Sequence, residues 1–259
     1  MLVYMQTRGF SLVELSIVLV ILGLLTGGIL GGQSLIRASE LRAVSSEYSR
    51  YVTAVGTFRD KYFAIPGDMT NAQSFWGAAA TCPGDHTQGS TNAATCNGNG
   101  NGIVEYSAAT GNENYRFWQH LANAGLVEGT YSGVSGGAGT PYTSVIGTNV
   151  PRSKLSNAGW TAHAWTTIDA TDANLFEGSY GNVFAFGGAS TNSITETYVM
   201  KPEEAWNIDT KMDDGRPAIG SVRTYERDTN CHTSTTAANA NYALSNNIVQ
   251  CALVFLVKY

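Results

Sequence analysis

The chain has 259 residues, enough for one ordinary domain plus an anchor. A net charge of −5, with only 14% of residues charged, argues against a dedicated nucleic-acid surface, which is usually strongly basic. Gly, Asn, Ser and Thr are plentiful, a composition closer to extracytoplasmic β-rich domains than to cytosolic helical enzymes.

The first notable stretch is Arg8-Gly9-Phe10-Ser11-Leu12-Val13-Glu14. After it, Leu15 to Ile36 contains no charged residue, a length that spans a bilayer as a helix. Glu14 sits just inside the N-terminal edge of this run. An acid there costs roughly 2.5–3.5 kcal/mol at mid-membrane and less near the interface, so it calls for a partner. Cutting between Gly9 and Phe10 would give Phe10 a positive amine four residues before Glu14. Met1 or Met5 is the start of the short leader, and Arg8 on its side places the C-terminal bulk outside the cytoplasm by the positive-inside rule.

The residues Gly9, Phe10, Ser11, Leu12, Val13, Glu14 and the apolar helix resemble the N-terminus of type IV pilin-like proteins, both pilins and type II secretion pseudopilins. The resemblance covers about the first sixty residues. It implies that a prepilin peptidase/methyltransferase cuts after Gly9 and N-methylates Phe10. It also implies that Glu14 pairs with the N-terminal amine of a neighbouring subunit during assembly, where low dielectric strengthens the attraction and penalises either charge alone. The implied partners are other pilin-like subunits, an inner-membrane assembly platform and the lipid bilayer. Two rivals fit less well. A secretory signal is cut after its apolar region at an A-x-A-like site, and that pattern is poor around Gly31-Gly32 and Arg37-Ala38. A plain anchor explains the apolar run but neither Glu14 nor the Arg-Gly-Phe junction.

The helix is expected to continue past the membrane to about Ala64. Leu41, Val44, Tyr48, Tyr51, Val52, Val55, Phe58 and Tyr62 make an amphipathic stripe, and Arg37, Glu40, Arg42, Glu47, Arg50, Arg59 and Asp60 are assigned to other faces. Pro66-Gly67 is read as its end. Gly23, Gly27, Gly28, Gly31 and Gly32 have small-xxx-small spacings that permit close helix contact, and residues 26–32 are expected to loosen when the subunit enters a filament. Phe58–Tyr62 and Pro66–Asp68 resemble the helix exit of a large-domain pilin-like subgroup. A short helix follows, with Asp68 as its cap and Gly77 as its stop.

The four cysteines, Cys82, Cys96, Cys231 and Cys251, read as disulfides in an exported domain. Proximity favours Cys82–Cys96 and Cys231–Cys251, each worth on the order of 3 kcal/mol. No C-x-x-C or paired-His spacing supports zinc. Further helices are predicted over 114–126 and 202–212, the latter with Pro202 in its first turn. Strands are predicted at Tyr142–Ile146, Tyr180–Phe186, Ile194–Met200 and Ile248–Val257.

Catalysis finds little support. Gly133-Val134-Ser135-Gly136-Gly137 fits G-x-S-x-G but lies in a glycine-serine run, and a hydrolase elbow needs a strand before the serine and a helix after it. His86, His120, His163 and His232 are scattered, with no H-E-x-x-H. Two clusters invite a cation. Asn97, Asn99, Asn101 and Gly102 copy positions 1, 3, 5 and 6 of a calcium loop, but the first ligand is not Asp and the twelfth position is Ala108. Asp209, Asp213 and Asp214 are stronger Ca2+ candidates, because Asp209 and Asp213 share a helix face and Asp214-Gly215 can turn the chain. The bland alternative is a solvated helix end, with Lys211 and Arg216 neutralising the acids. Some secretion pseudopilins bind calcium in the head, yet no ligand position carries over to this chain.

The reading is an α+β fold: a leader over 1–9, a membrane or filament-core helix over 10–36, its amphipathic continuation over 37–65, and an extracytoplasmic head over 66–259 with an antiparallel sheet packed on the helix. The protein is expected to be a non-enzymatic, single-pass inner-membrane subunit of a secretion pseudopilus or a type IV pilus, and the size of its head favours a minor one. The rival is a membrane-anchored binding module that does not polymerise.

Overall fold

The computed structural model describes residues 11–80, 82, 93–105, 113–136 and 143–257. The described residues fall into two compact units that divide between Glu40 and Leu41. The fold is α+β, with an antiparallel four-stranded sheet.

Helix α1 (Leu12–Tyr62) is continuous. Its glycines do not break it, and a Cβ at Gly23, Gly27, Gly28, Gly31 or Gly32 would meet nothing within 4 Å. It stops before Pro66-Gly67, at Phe63, which takes a left-handed φ of 53° while its N–H still donates to the Arg59 carbonyl. A left-handed C-cap normally falls to glycine, and a bulky residue there pays about 1–2 kcal/mol. Helix α2 (Ala72–Trp76) follows and ends at Gly77, whose φ is 84°. Its N-cap is Asn71, not Asp68 as expected. Asp68 instead accepts from the N–H groups of Gly100, Asn101 and Gly102. Helices α3 (Glu113–Asn123) and α4 (Pro202–Met212) lie close to their predicted places. Glu204 reaches back to accept from the Lys201 N–H at 2.9 Å, closing the first turn of α4.

The strands are β1 (Gly159–Ile168), β2 (Gly178–Gly187), β3 (Val222–Thr224) and β4 (Leu253–Leu256), in the order β1-β2-β4-β3. Registers such as Trp160↔Phe186, Phe184↔Phe255 and Val222↔Phe255 stack aromatic and branched residues across the ladder. Of the four predicted strands, only the one at Tyr180–Phe186 appears as drawn. Ile248–Val257 shrinks to β4, because Gln250 and Cys251 pair with the Val199–Met200 segment through one isolated bridge. Ile194–Met200 is not a strand: the Thr195 N–H donates to the Thr161 hydroxyl and the Glu196 N–H to the Gly188 carbonyl. The described part of Tyr142–Ile146 is irregular, carrying one isolated bridge from Ile146 to Val150. Strands β1 and β3 were not foreseen.

Alternation along the sheet makes two apolar layers. Trp160, Ala162, Phe184, Phe186, Leu253 and Phe255 face the α1 stripe. Leu175, Val183, Tyr225 and Val254 form a separate cluster with Tyr180 and Ala252. On the α1 side, Tyr48 stacks on Phe255 with centroids 5.1 Å apart, and Tyr51 meets Trp118 and Trp160 edge-on at 4.9 and 5.7 Å. Val44, Val55 and Phe58 are fully buried. Burial of a large apolar side chain is worth about 1.5–3 kcal/mol, so this seam holds the second half of α1 to the sheet.

Candidate functional site

The first half of α1 presents apolar side chains on every side. Leu12, Leu15, Val18, Leu22, Leu24 and Ile36 are all more than half exposed. A soluble surface does not carry such a sleeve, so it needs lipid or other protein as its solvent. The hydroxyls within it demand nothing from outside. Ser16 donates to the Val13 carbonyl, Thr26 to Leu22 and Ser34 to Gly31. α1 is a helix long and apolar enough to cross a membrane.

At the start of α1, Ser11 and Glu14 form a capping box. The Val13 N–H donates to Ser11 Oγ at 3.2 Å, and the Ser11 N–H donates to Glu14 Oε2 at 2.8 Å. This role for Glu14 went unread, although S-x-x-E is its sequence signature. It places the carboxylate at the positive end of the helix dipole and uses one oxygen, while Oε1 takes no hydrogen bond among the described residues. Gly9 and Phe10 lie outside the described residues.

Further along α1, Glu47 is the principal surprise. It was assigned to a polar face, yet it is buried. Its Oε2 accepts from the Ser153 hydroxyl at 2.7 Å and from Trp160 Nε1 at 2.8 Å, and its Oε1 accepts from the Lys154 N–H at 2.8 Å. The spacing could have revealed it, since 44, 47, 51, 55 and 58 run down one face.

Both disulfides form as expected. Cys82 pairs with Cys96 (Cα–Cα 5.6 Å) and Cys231 with Cys251 (Cα–Cα 5.3 Å). Cys251 precedes β4 and bridges to Met200, so the second disulfide ties the 231–250 segment to the sheet margin.

The structure brings Asp209, Asp213 and Asp214 together, with one oxygen of each inside a 4.8 Å group. Most of their oxygens already have donors. Asp209 accepts from the Gly215 N–H and from the Tyr242 hydroxyl, Asp213 Oδ2 from the Ser221 and Val222 N–H groups, and Asp214 Oδ1 from the Arg216 N–H. Asp213 Oδ1 and Asp214 Oδ2 take no hydrogen bond among the described residues. Burial, reinforced by the neighbouring acids and opposed by the Tyr242 and Gly215 bonds, pushes the Asp209 carboxyl up to about 7. Asp213 and Asp214 each offer one free oxygen to a hard cation, whereas Asp209 would have to lose its proton and share oxygens already bonded to Gly215 and Tyr242.

The other loop is a set of turns. Asn99 Oδ1 accepts from the Asn101 N–H, Asn101 Oδ1 from the Ile103 N–H and Asn97 Oδ1 from the Gln73 N–H. Each amide oxygen that a calcium loop would present is spent on the backbone. Ser135 accepts from the Thr143 N–H and follows a bend, not a strand, so the G-x-S-x-G match lacks the elbow. His120 is buried, with Nδ1 accepting from the Gly67 N–H and Nε2 against the Thr95 hydroxyl; burial, with Arg116 nearby, holds it down to about 3. Burial holds His163 down to about 4. His232 is also lowered, while its Nε2 contacts the Glu226 carbonyl at 2.9 Å. These three are neutral structural histidines near pH 7. His86 lies outside the described residues.

Residues 4–30 match the family model described as the prokaryotic N-terminal methylation motif. The N-terminus is thus a type IV pilin-like prepilin signal, and it heads a helix fit for membrane anchoring. The match ends at residue 30 and does not reach the head. No curated protein and no solved structure matches the chain.

Proposed function

We propose that the protein is a pilin-like structural subunit of a type IV-family filament, cut after Gly9, N-methylated at Phe10 and assembled through α1. The observation that carries this reading is the methylation motif lying on the exposed apolar first half of α1, with the acid Glu14 in its first turn. Residues 1–9 are the leader, 10–36 pass from the bilayer into a filament core, 37–65 carry the helix into the head, and 66–259 form the head outside the cytoplasm. The prepilin peptidase/methyltransferase, other pilin-like subunits and an inner-membrane platform are its partners. The head is large for a major subunit, which favours a minor or specialised position in a secretion pseudopilus or a pilus. Recovery of the protein in a sheared filament fraction supports polymerisation. Its complete retention in membranes with the head exposed would support the anchored binding module instead.

Mass spectrometry of the mature protein is expected to find Phe10 first, carrying one added methyl, with the net charge moved from −5 to −6 by loss of Arg8. Gly9→Ala should still be processed, whereas a bulky residue at position 9 should block cleavage. Any other mature N-terminus overturns the signal assignment.

Calcium at Asp209, Asp213 and Asp214 belongs to the same proposal. Millimolar calcium is expected to raise the melting temperature of the head, and Asp213→Ala to abolish the rise. Asp209 has a folded pKa near 7 against 3.8 for its ordinary value. Its contribution to stability is therefore fully present below about 3.8 and lost as pH rises through about 7. Calcium needs the ionised form, so its effect should be larger at pH ~8 than at pH ~6. A melting temperature indifferent to calcium and to chelator leaves the cluster as a self-satisfied turn.

A further inference from the structure

A cavity of about 250 Å³ opens on the sheet face opposite α1. That is below the roughly 300–1,000 Å³ of drug-sized ligand sites, so it admits a single small ring. Its walls come from β1, the β1–β2 connection, the 193–196 segment and the chain after β3. Trp165 supplies the aromatic wall. It stands nearly perpendicular to His163, Tyr180 and Tyr225, at 88°, 79° and 88°, so none of these rings is stacked parallel on it.

The polar groups at the rim are held in advance. Asp172 Oδ1 accepts from the Asn174 and Leu175 N–H groups, which fixes the carboxylate and leaves Oδ2 to act as an acceptor. Arg227 lies over the Tyr225 ring at 4.5 Å and pairs with Glu196 at 2.8 Å. The Asn174 side chain is exposed at the mouth, and its amide makes no hydrogen bond among the described residues.

These features exclude two ligand classes. A quaternary cation seeks several open aromatic faces. Here Arg227 already lies over Tyr225 and Arg223 over Tyr180, which leaves too few ring faces for such a cage. A strong anion would meet the carboxylates of Asp172 and Glu196. What remains is a neutral ring with an apolar face and hydroxyls at its edge that both donate and accept. The geometry points to a monosaccharide subsite: a pyranose lying on Trp165, its hydroxyls bonded to Asp172, Asn174 and the Glu196–Arg227 pair. Such a site recognises one sugar of a glycan. It does not depend on the filament reading, because the isolated chain would carry it.

The test is saturation-transfer NMR on the full chain, held in a detergent without a sugar headgroup. The probes are methyl pyranosides of gluco, manno, galacto and N-acetylglucosamine configuration. At least one is expected to bind in the millimolar range, with saturation strongest on its ring C–H protons. Trp165→Ala should weaken binding tenfold or more. Because Trp165 also packs on the buried layer beneath it, Asn174→Ala serves as the second variant; its exposed side chain leaves the fold intact, and it should weaken binding at least threefold. No binding of any pyranoside at tens of millimolar overturns the proposal. So does tetramethylammonium binding in preference to every sugar, or sugar binding unchanged in both variants.

Discussion

Glu47→Ala should lower the stability of the head by roughly 3–5 kcal/mol, the largest effect expected of any single substitution outside the aromatic core. The carboxylate is the common acceptor for Ser153, the Lys154 N–H and the indole N–H of Trp160. The serine hydroxyl can turn elsewhere, but the other two donors are fixed, and Trp160 is fully buried. Removing the acceptor leaves the indole N–H desolvated and the half-buried Lys154 N–H without its partner, and the cavity adds to the loss. Glu47→Gln keeps one acceptor oxygen and turns an amide N–H2 toward the remaining donors, so it should fall between Ala and wild type. The measurement is thermal or urea unfolding of the full chain in micelles. For a head of this size the Ala variant should melt about 10 °C lower. Arg42→Ala, on an exposed position of the same helix, should stay within about 0.5 kcal/mol of wild type. If Glu47→Ala and Arg42→Ala behave alike, the buried hub is wrong.

Glu14→Val is expected to leave insertion intact or improved, since it removes an acid from the membrane edge, and to reduce incorporation into filaments by tenfold or more. Two roles compete for Glu14. The resemblance to pilin-like proteins gives it the amine of a neighbouring subunit; the structure gives it the Ser11 N–H of its own chain. Valine removes both. Glu14→Gln separates them, because a glutamine oxygen still accepts from Ser11 but carries no charge for an amine. If the charge is what assembly needs, Gln fails almost as badly as Val in a shearing assay. If Gln assembles like wild type, the cap alone accounts for the residue, at about 1 kcal/mol of helix stability. Filaments formed equally well by Val reject both roles.

The N-terminal segment of this protein, up to the end of α1, was legible because its signals are local. The uncharged run after Glu14, the Gly9-Phe10 junction and the 3–4 spacing from Leu41 to Tyr62 each lie within a few turns of one helix. Both disulfides followed from proximity along the chain, and α4 from Pro202 at its start. The sheet was harder. β1 reads Gly-Trp-Thr-Ala-His-Ala-Trp and is buried on both faces over its first half, so it lacks the apolar–polar alternation that marks a strand with one wet side. Ile194–Met200 has the composition of a strand but spends its N–H groups on nearby Gly188 and on Thr161 and Cys251, two partners far away in sequence. Asp68 was placed as a cap because it stands before a helix; the distant 100–102 loop claimed it. Glu47 was assigned to another face of α1 although its spacing from Val44 and Tyr51 points inward; the donors that satisfy it, on Ser153, Lys154 and Trp160, lie more than a hundred positions along the chain. Periodicity and short separations sufficed for the signal, the membrane helix and the disulfide pairs. The strand set, the donors gathered at Glu47 and the rim around Trp165 depend on which distant donors and rings close over a residue, and no local pattern carries that.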